Sequence, residues 1–303
     1  MFPKIAAQLA RGFLMRAADV VPGVSGGTVA LVLGIYDKLI DTVRSGARAL
    51  GKLLTADLRG FWRRFTAIDW LFLAPLLAGV GVAVVSLASI IETQLRETPE
   101  EMAGLFFGLV GGSVLVAQGM LTARRTEHGV IVAVIGSATF WLLGFQSGPI
   151  TDPSPLMLVG SGALAICAMI LPGISGSFIL LMLGMYAAVL GAIHDRVIID
   201  LALVGIGAIV GLALFSSLLG WVLERQFNRV MAALIGLMLG SLRVLWPWPN
   251  GVGIIAEDAS EVIDGTTLDW PPDLDAFVGP AILAFVGFGL VMATTQIGSR
   301  RSL

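Results

Sequence analysis

The chain has 303 residues, 56% of them apolar and only 13% charged, with 38 glycines and a formal net charge of −2. A soluble domain carries about 25% charged residues, so this composition excludes a soluble enzyme or a nucleic-acid-binding module and indicates an all-α integral membrane protein. A single cysteine, Cys167, excludes an internal disulfide and any cysteine-based metal cluster.

The first apolar region, near 5–40, is interrupted by Arg11 and Arg16, so it lacks the long apolar run of a cleavable signal peptide. It contains Pro22-Gly-Val-Ser-Gly-Gly-Thr-Val-Ala-Leu-Val-Leu-Gly-Ile-Tyr36. A basic stretch follows, with Lys38, Arg44, Arg48, Lys52, Arg59, Arg63 and Arg64. Within it, segment 44–66 mixes Leu50, Leu53, Leu54, Leu58, Phe61 and Trp62 among the cations, which reads as an interfacial amphipathic helix on anionic headgroups. An ordinary solvated connector is the alternative.

Six later stretches meet the need for roughly 17–25 apolar residues in a bilayer-crossing helix. They are Trp70–Ile91, Met102–Leu121, Gly129–Gln146, Leu201–Leu223, Met231–Trp246 and Gly279–Ile297. Between the third and fourth lies a second interrupted region, near 155–193, containing Pro172-Gly-Ile-Ser-Gly-Ser-Phe-Ile-Leu-Leu-Met-Leu-Gly-Met-Tyr186. Eight of the fifteen positions are identical between the two motifs. A fainter echo, Gly108-Leu-Val-Gly-Gly-Ser113 against Gly236-Leu-Met-Leu-Gly-Ser241, extends the duplication. The chain is therefore expected to be a single membrane domain, 1–303, built from repeats of about 1–146 and 155–303.

Loop charge sets the orientation. If the first interrupted region crossed the bilayer, the most basic stretch would lie outside, against the positive-inside rule. A re-entrant hairpin keeps it inside with the N-terminus. The other loops then alternate: Glu92–Glu101 is acidic and outside, Arg124-Arg125 inside, and Gln146–Pro155, with no basic residue, outside. Glu224–Arg229 is inside, the loop 247–277 with seven carboxylates and no Lys or Arg is outside, and Arg300-Arg301 end inside. The second interrupted region must then enter and leave from outside. The expected fold is thus an inverted-repeat transporter with six full transmembrane helices and two re-entrant broken-helix hairpins, N- and C-termini cytoplasmic.

Non-helical backbone at membrane depth is tolerated only when buried in protein or lining a wet cavity. Pro22-Gly23 and Pro172-Gly173 are read as the hinges that end one short helix, and the outgoing half-helices are expected near 26–38 and 176–190. Their N-termini would meet near the midplane from opposite faces, with Ser25, Gly26, Gly27, Thr28, Ser175, Gly176 and Ser177 presenting N–H and hydroxyl donors. Such an arrangement suits a phosphate-like anion. Broken helices also bind cations through carbonyl ends, so the motif alone leaves the ligand's sign open.

Few charges lie at membrane depth. Asp19 is placed to carry a proton, to pair with Arg16 or to cap the following turn. Arg243, in the outer third of its span, either grips a phosphate in a bidentate fork or snorkels to the headgroups. His128 and His194 have no second ligand at metal-binding spacing, so neither a metal nor a cofactor is expected. Trp70, Trp141, Trp246, Trp248 and Trp270 read as interface anchors rather than as a ligand cage.

Ala18-Asp-Val-Val-Pro-Gly-Val-Ser-Gly-Gly-Thr-Val-Ala30, Leu33-Gly-Ile-Tyr36 and Ala168-Met-Ile-Leu-Pro-Gly-Ile-Ser-Gly-Ser-Phe178 resemble the polyprenyl-phosphate transporter (PopT-type) family over nearly the whole chain. The resemblance implies a non-enzymatic translocase of the bacterial cytoplasmic membrane. It would return undecaprenyl phosphate, the lipid carrier of cell-wall sugars, from the outer to the inner leaflet. The lipid headgroup would bind between the two motif tips, and one half would rock against the other to give alternating access. Coupling to protons, through Asp19, or to sodium is compatible with this, and the oligomeric state stays open. The rivals are a carrier or channel for a small inorganic anion, which could use the same helix ends, and a lipid-phosphate phosphatase. The latter needs a nucleophilic or general-base histidine or a metal cluster, which two edge histidines and one cysteine do not supply.

Overall fold

Local signals set the helix starts. Asp57 accepts the Gly60 N–H at 2.7 Å and Asp69 the Phe72 N–H at 3.1 Å. Ser154 caps the helix that begins at Pro155, and Pro99 opens another. The computed structural model describes residues 2–19, 26–54, 57–123, 125–144, 150, 152–172, 174–248 and 268–300. Regular structure among them is entirely helical: α1 (Phe2–Asp19), α2 (Gly26–Val32), α3 (Tyr36–Leu54), α4 (Leu58–Thr66), α5 (Trp70–Glu97), α6 (Pro99–Met120), α7 (Thr126–Leu142), α8 (Pro155–Ile170), α9 (Gly176–Met182), α10 (Tyr186–His194), α11 (Ile198–Ser241) and α12 (Leu274–Arg300).

Helices α6, α11 and the Leu274–Ala293 part of α12 are long and apolar enough to cross a membrane. Two bent pairs bring the total to as many as five among the described residues: α4 with α5, at 80°, and α9 with α10, at 113°. Helices α7 and α8 are shorter apolar helices of 17 and 16 residues. Outward faces carry exposed Leu142, Leu156, Ile198, Ile199, Leu214 and Phe285. Apolar surface on that scale needs lipid around it; the chain is a multi-pass membrane protein.

Three connectors differ from the sequence expectation. Glu92–Glu101, read as a loop, is helical on both sides of Thr98. The basic segment 44–66 is the second half of α3 plus α4, separated at Asp57, which caps α4 and pairs with Lys52 at 3.2 Å. The Glu224–Arg229 connector is not a loop. Helix α11 runs through it with one non-helical residue, Gln226 (φ −137°, ψ 47°). Thr98, between α5 and α6, has nearly the same conformation (φ −136°, ψ 59°).

Packing follows one scheme in both halves. Helix α1 lies on α5, and α8 lies on the first limb of α11. Reciprocal glycines allow backbone-to-backbone approach in each pair. Gly12 faces Leu76 and Gly79 faces Leu9, while Gly162 faces Val204 and Gly207 faces Val159. Small residues of this kind are how helices close-pack in lipid, where no hydrophobic drive brings them together. Gly12 and Gly162 each sit ten residues before their motif proline. Helix α6 packs on α12 through Gly104 and Gly108, and α7 packs on the second limb of α11 through Gly136 and Gly236. The main core, including Leu31, Tyr36, Ile40, Phe72, Val110 and Ile235, lies among α2, α3, α5, α6 and that second limb.

Polar contacts gather at two ends. At one, Lys38 pairs with Asp69 at 2.7 Å, Arg44 with Glu224, and Arg229 with Glu127 at 3.2 Å. The Lys38 hydrogen bond holds the Asp69 carboxyl below the usual carboxylate range. Asn228 bonds the Thr122 backbone and hydroxyl at the same end. At the other end the turn after α9 accepts a bond from the Ile150 N–H to the Gly184 carbonyl, 2.9 Å. Arg243 there lies close to Gly144. Helix α3 thus sits with the break in α11, and the α9–α10 turn with the α7–α8 connection.

Candidate substrate-binding site

The second motif shows how such a tip is built. Pro172 is buried, and Ser175 precedes α9 in extended conformation (φ −96°, ψ 137°). The buried Ser175 hydroxyl meets that of Ser177 at 2.8 Å and does not cap the first turn of α9. Gly176 admits the Met169 side chain and the Ala165 carbonyl where a Cβ would stand. In the first motif, Gly26, Gly27 and Thr28 open α2 and are buried. Pro22, Gly23, Ser25 and Gly173 lie outside the described residues, as does the side chain of Asp19, the last residue of α1.

The outgoing helices are shorter than expected. Both α2 and α9 have seven residues, ending at Val32 and Met182 rather than continuing to 38 and 190. The cause is the second part of the motif, Leu-Gly-x-Tyr. Gly34 (φ 67°) and Gly184 (φ 68°) adopt the left-handed conformation. The Ile35 N–H then returns to the Ala30 carbonyl at 2.9 Å and the Met185 N–H to that of Leu180 at 2.8 Å, closing the same C-terminal motif twice. A seven-residue helix brings little macrodipole. An anion at either tip would therefore be held by first-turn N–H groups and hydroxyls.

Tyr36 was not singled out by sequence reasoning, yet it joins the halves. Its buried hydroxyl donates to the carbonyl of Ile170, the last residue of α8, at 3.1 Å. One of the end carbonyls that a helix leaves unpaired is thereby satisfied. Helix α2 also packs against α8, so the helix after the first motif lies on the approach to the second. The signal was present: the chain has only two tyrosines, Tyr36 and Tyr186, both at the last motif position.

Arg243 is not within a helix. Helix α11 stops at Ser241, and tighter turns carry the chain on, with Arg243 N–H to Gly240 at 3.3 Å and Val244 N–H to Ser241 at 3.0 Å. Pro247, further on, disfavours helix at Trp246 and supplies no N–H, so these turns do not pass back into a helix there. The Arg243 guanidinium lies over the Phe140 ring, 4.8 Å from its centroid. It lines a cavity of about 420 Å³ whose other walls include Phe107, Trp246, Asp269 and Trp270. The next residue, Val244, packs with Leu143 and with Phe178 of α9, so α9 lies against the segment that carries Arg243. Elsewhere, Cys167 faces the Gly211 carbonyl as a packing residue, and His128 bonds Ala123 within a turn. Among the described residues no three His, Cys, Asp or Glu side chains cluster as metal ligands do.

Residues 15–263 match the family described as undecaprenyl phosphate translocase-like. The chain belongs to that family. Both motifs and Arg243 of this translocase-like chain lie inside the matched residues. The polyprenyl-phosphate transporter of Vibrio cholerae is 40% identical over 240 residues, covering 78% of this chain and 76% of the relative. The polyprenyl-phosphate transporter of Staphylococcus aureus is 32% identical over 255 residues, covering 78% and 84% respectively. No solved structure matches the chain.

Proposed function

We propose that this protein translocates undecaprenyl phosphate from the outer to the inner leaflet of the cytoplasmic membrane, returning the carrier lipid for envelope synthesis without covalent chemistry. The observation that carries this reading is the paired Pro-Gly-x-Ser-Gly motif inside a chain that matches the translocase-like family over 15–263. The matched glycine turns after α2 and α9 and the matched breaks at Thr98 and Gln226 support two equivalent halves. In this reading α5, α6, α7, the two limbs of α11 and α12 cross the bilayer. The α1–α2 and α8–α9 hairpins re-enter from opposite faces.

The physics suits an anionic lipid. A phosphate needs hydrogen-bond donors along its path, and we assign that part to the first-turn N–H groups of α2 and α9 with the motif hydroxyls. Its isoprenoid tail can remain in hydrocarbon while the head crosses. Ser25, Gly26, Gly27 and Thr28 would serve the head from one hairpin, and Ser175, Gly176 and Ser177 from the other.

Vesicles reconstituted with the full chain test this. The double variant Ser25→Ala, Ser175→Ala should keep its thermal unfolding temperature and lose at least tenfold in polyprenyl-phosphate translocation. Unchanged translocation in a folded double variant would refute the site. Chloride or inorganic phosphate flux that polyprenyl phosphate does not inhibit would replace the lipid with a small anion as substrate.

A further inference from the structure

The Arg243 cavity does not end where its arginine does. Phe140 and Leu239 also line a second hollow, of about 400 Å³, that continues between α7 and the second limb of α11. Its remaining walls are small or apolar: Val132, Ala133, Gly136, Ser137, Trp141 and Gly240. The two hollows adjoin across Phe140 and Leu239, one with a cation in its wall and the other lined mostly by apolar side chains, and are taken together as a trough. Each falls within the ~300–1,000 Å³ of a small-molecule site.

The polar end is firmly built. Trp246 packs edge-on against Phe107, Trp248 and Trp270, at centroid separations of 5.9, 5.4 and 6.2 Å. Its indole N–H donates to the Asp269 backbone carbonyl at 2.8 Å. Such an array of edge-to-face rings holds the wall beside Arg243 in place. The Phe140 ring fixes the plane of the Arg243 guanidinium, and a guanidinium of set orientation is the side chain best matched to a phosphate monoester. Asp269, a negatively charged residue, also lines this wall. That charge opposes an anion and so makes the sign of the ligand testable.

We propose that this trough is a loading site for polyprenyl phosphate, with the phosphate on Arg243 and the first isoprene units along α7, occupied before the head reaches the paired motifs. The assignment rests on the translocase reading and extends it from headgroup to tail. Ser175 and Ser177 lie at the start of α9, whose Phe178 packs beside Arg243 through Val244. A headgroup leaving the trough therefore has the second motif as its next set of donors. Three of the five tryptophans that read as interface anchors in sequence, Trp141, Trp246 and Trp270, line these hollows.

Equilibrium binding of farnesyl phosphate, farnesol and inorganic phosphate to the purified full chain tests the proposal. Farnesyl phosphate should bind at least tenfold tighter than either fragment. R243Q should remove that advantage over farnesol, and D269N should tighten farnesyl phosphate several-fold. Filling the apolar end by A133F or S137F should weaken farnesol and farnesyl phosphate alike. R243Q and both groove variants binding as wild type, or wild type not binding farnesyl phosphate, overturns the trough even where vesicles still translocate the lipid. Binding that follows the expected pattern, in vesicles with no translocation, supports the trough and refutes the translocase reading instead.

Discussion

Gly34 and Gly184 stop two helices by conformation alone. An L-residue with a Cβ loses about 1 kcal/mol or more in the left-handed region, because Cβ crowds the following carbonyl. At Gly34 an added Cβ would meet nothing within 4 Å, so no packing change confuses the measurement. Gly34→Ala is therefore expected to lower stability by about 1 kcal/mol, and Gly34→Asn by less, since asparagine tolerates this region. Thermal unfolding in detergent checks both, and equal losses would show that something other than backbone conformation is at work there. The residue pattern Leu-Gly-x-Tyr thus fixes where each short helix ends, and so where the chain leaves the tip.

At the scale of elements, the glycine seams determine which helices can meet. A Cβ at Gly207 would run into the backbone of Val159, whereas one at Gly205 would enter open space. Overpacking usually costs about 1–3 kcal/mol when side chains can shift, and a helix backbone shifts far less readily. Gly207→Val should thus sharply reduce folded yield and unfolding temperature, while Gly205→Val should leave both nearly unchanged. Similar losses from both would mean helix propensity, not the seam, is responsible. Helix existence and the duplicated motif were legible in the sequence because apolar length and Pro-Gly breaks are local signals. The seams were not, since a glycine in an apolar run looks the same whether it faces lipid or another backbone. The continuity of α11 through Glu224–Arg229 was hidden for a related reason: charge marks an exposed stretch but does not say that the backbone stops being helical. Arg243 was legible as an unusual charge. Its cavity was not, because Phe107, Phe140 and Trp270 arrive from three separate parts of the chain.

For the whole molecule, loop charge implies that the two hairpins open to opposite faces. Cysteine labelling tests this directly in a Cys167→Ala background. Arg48→Cys, on exposed α3, and Asp152→Cys, on the exposed α7–α8 connection, report one hairpin end each. A membrane-impermeant maleimide should label Asp152→Cys on intact cells and Arg48→Cys only after permeabilisation; labelling of both from one side would rule out the inverted arrangement. The seams add a mechanical constraint. Helices α6 and α7 of the first half grip α12 and the second limb of α11 of the other, so the halves are interlocked rather than apposed. Separating them as rigid bodies would strip both crossed seams. What lies outside the shared scaffold is a pair of arms, α1 with α5 and α8 with the first limb of α11. In the chain, each runs into the scaffold through one non-helical residue, Thr98 or Gln226, of nearly the same backbone conformation, and Phe72 of α5 and Leu223 of α11 also pack into the core with Val110 and Ile235. Swinging the arms about those two joints would keep the α6–α12 seam and that of α7 with the second limb of α11 and would have to slide only the core around Phe72, Leu223 and Ile235; the unit of motion need not be the unit of duplication.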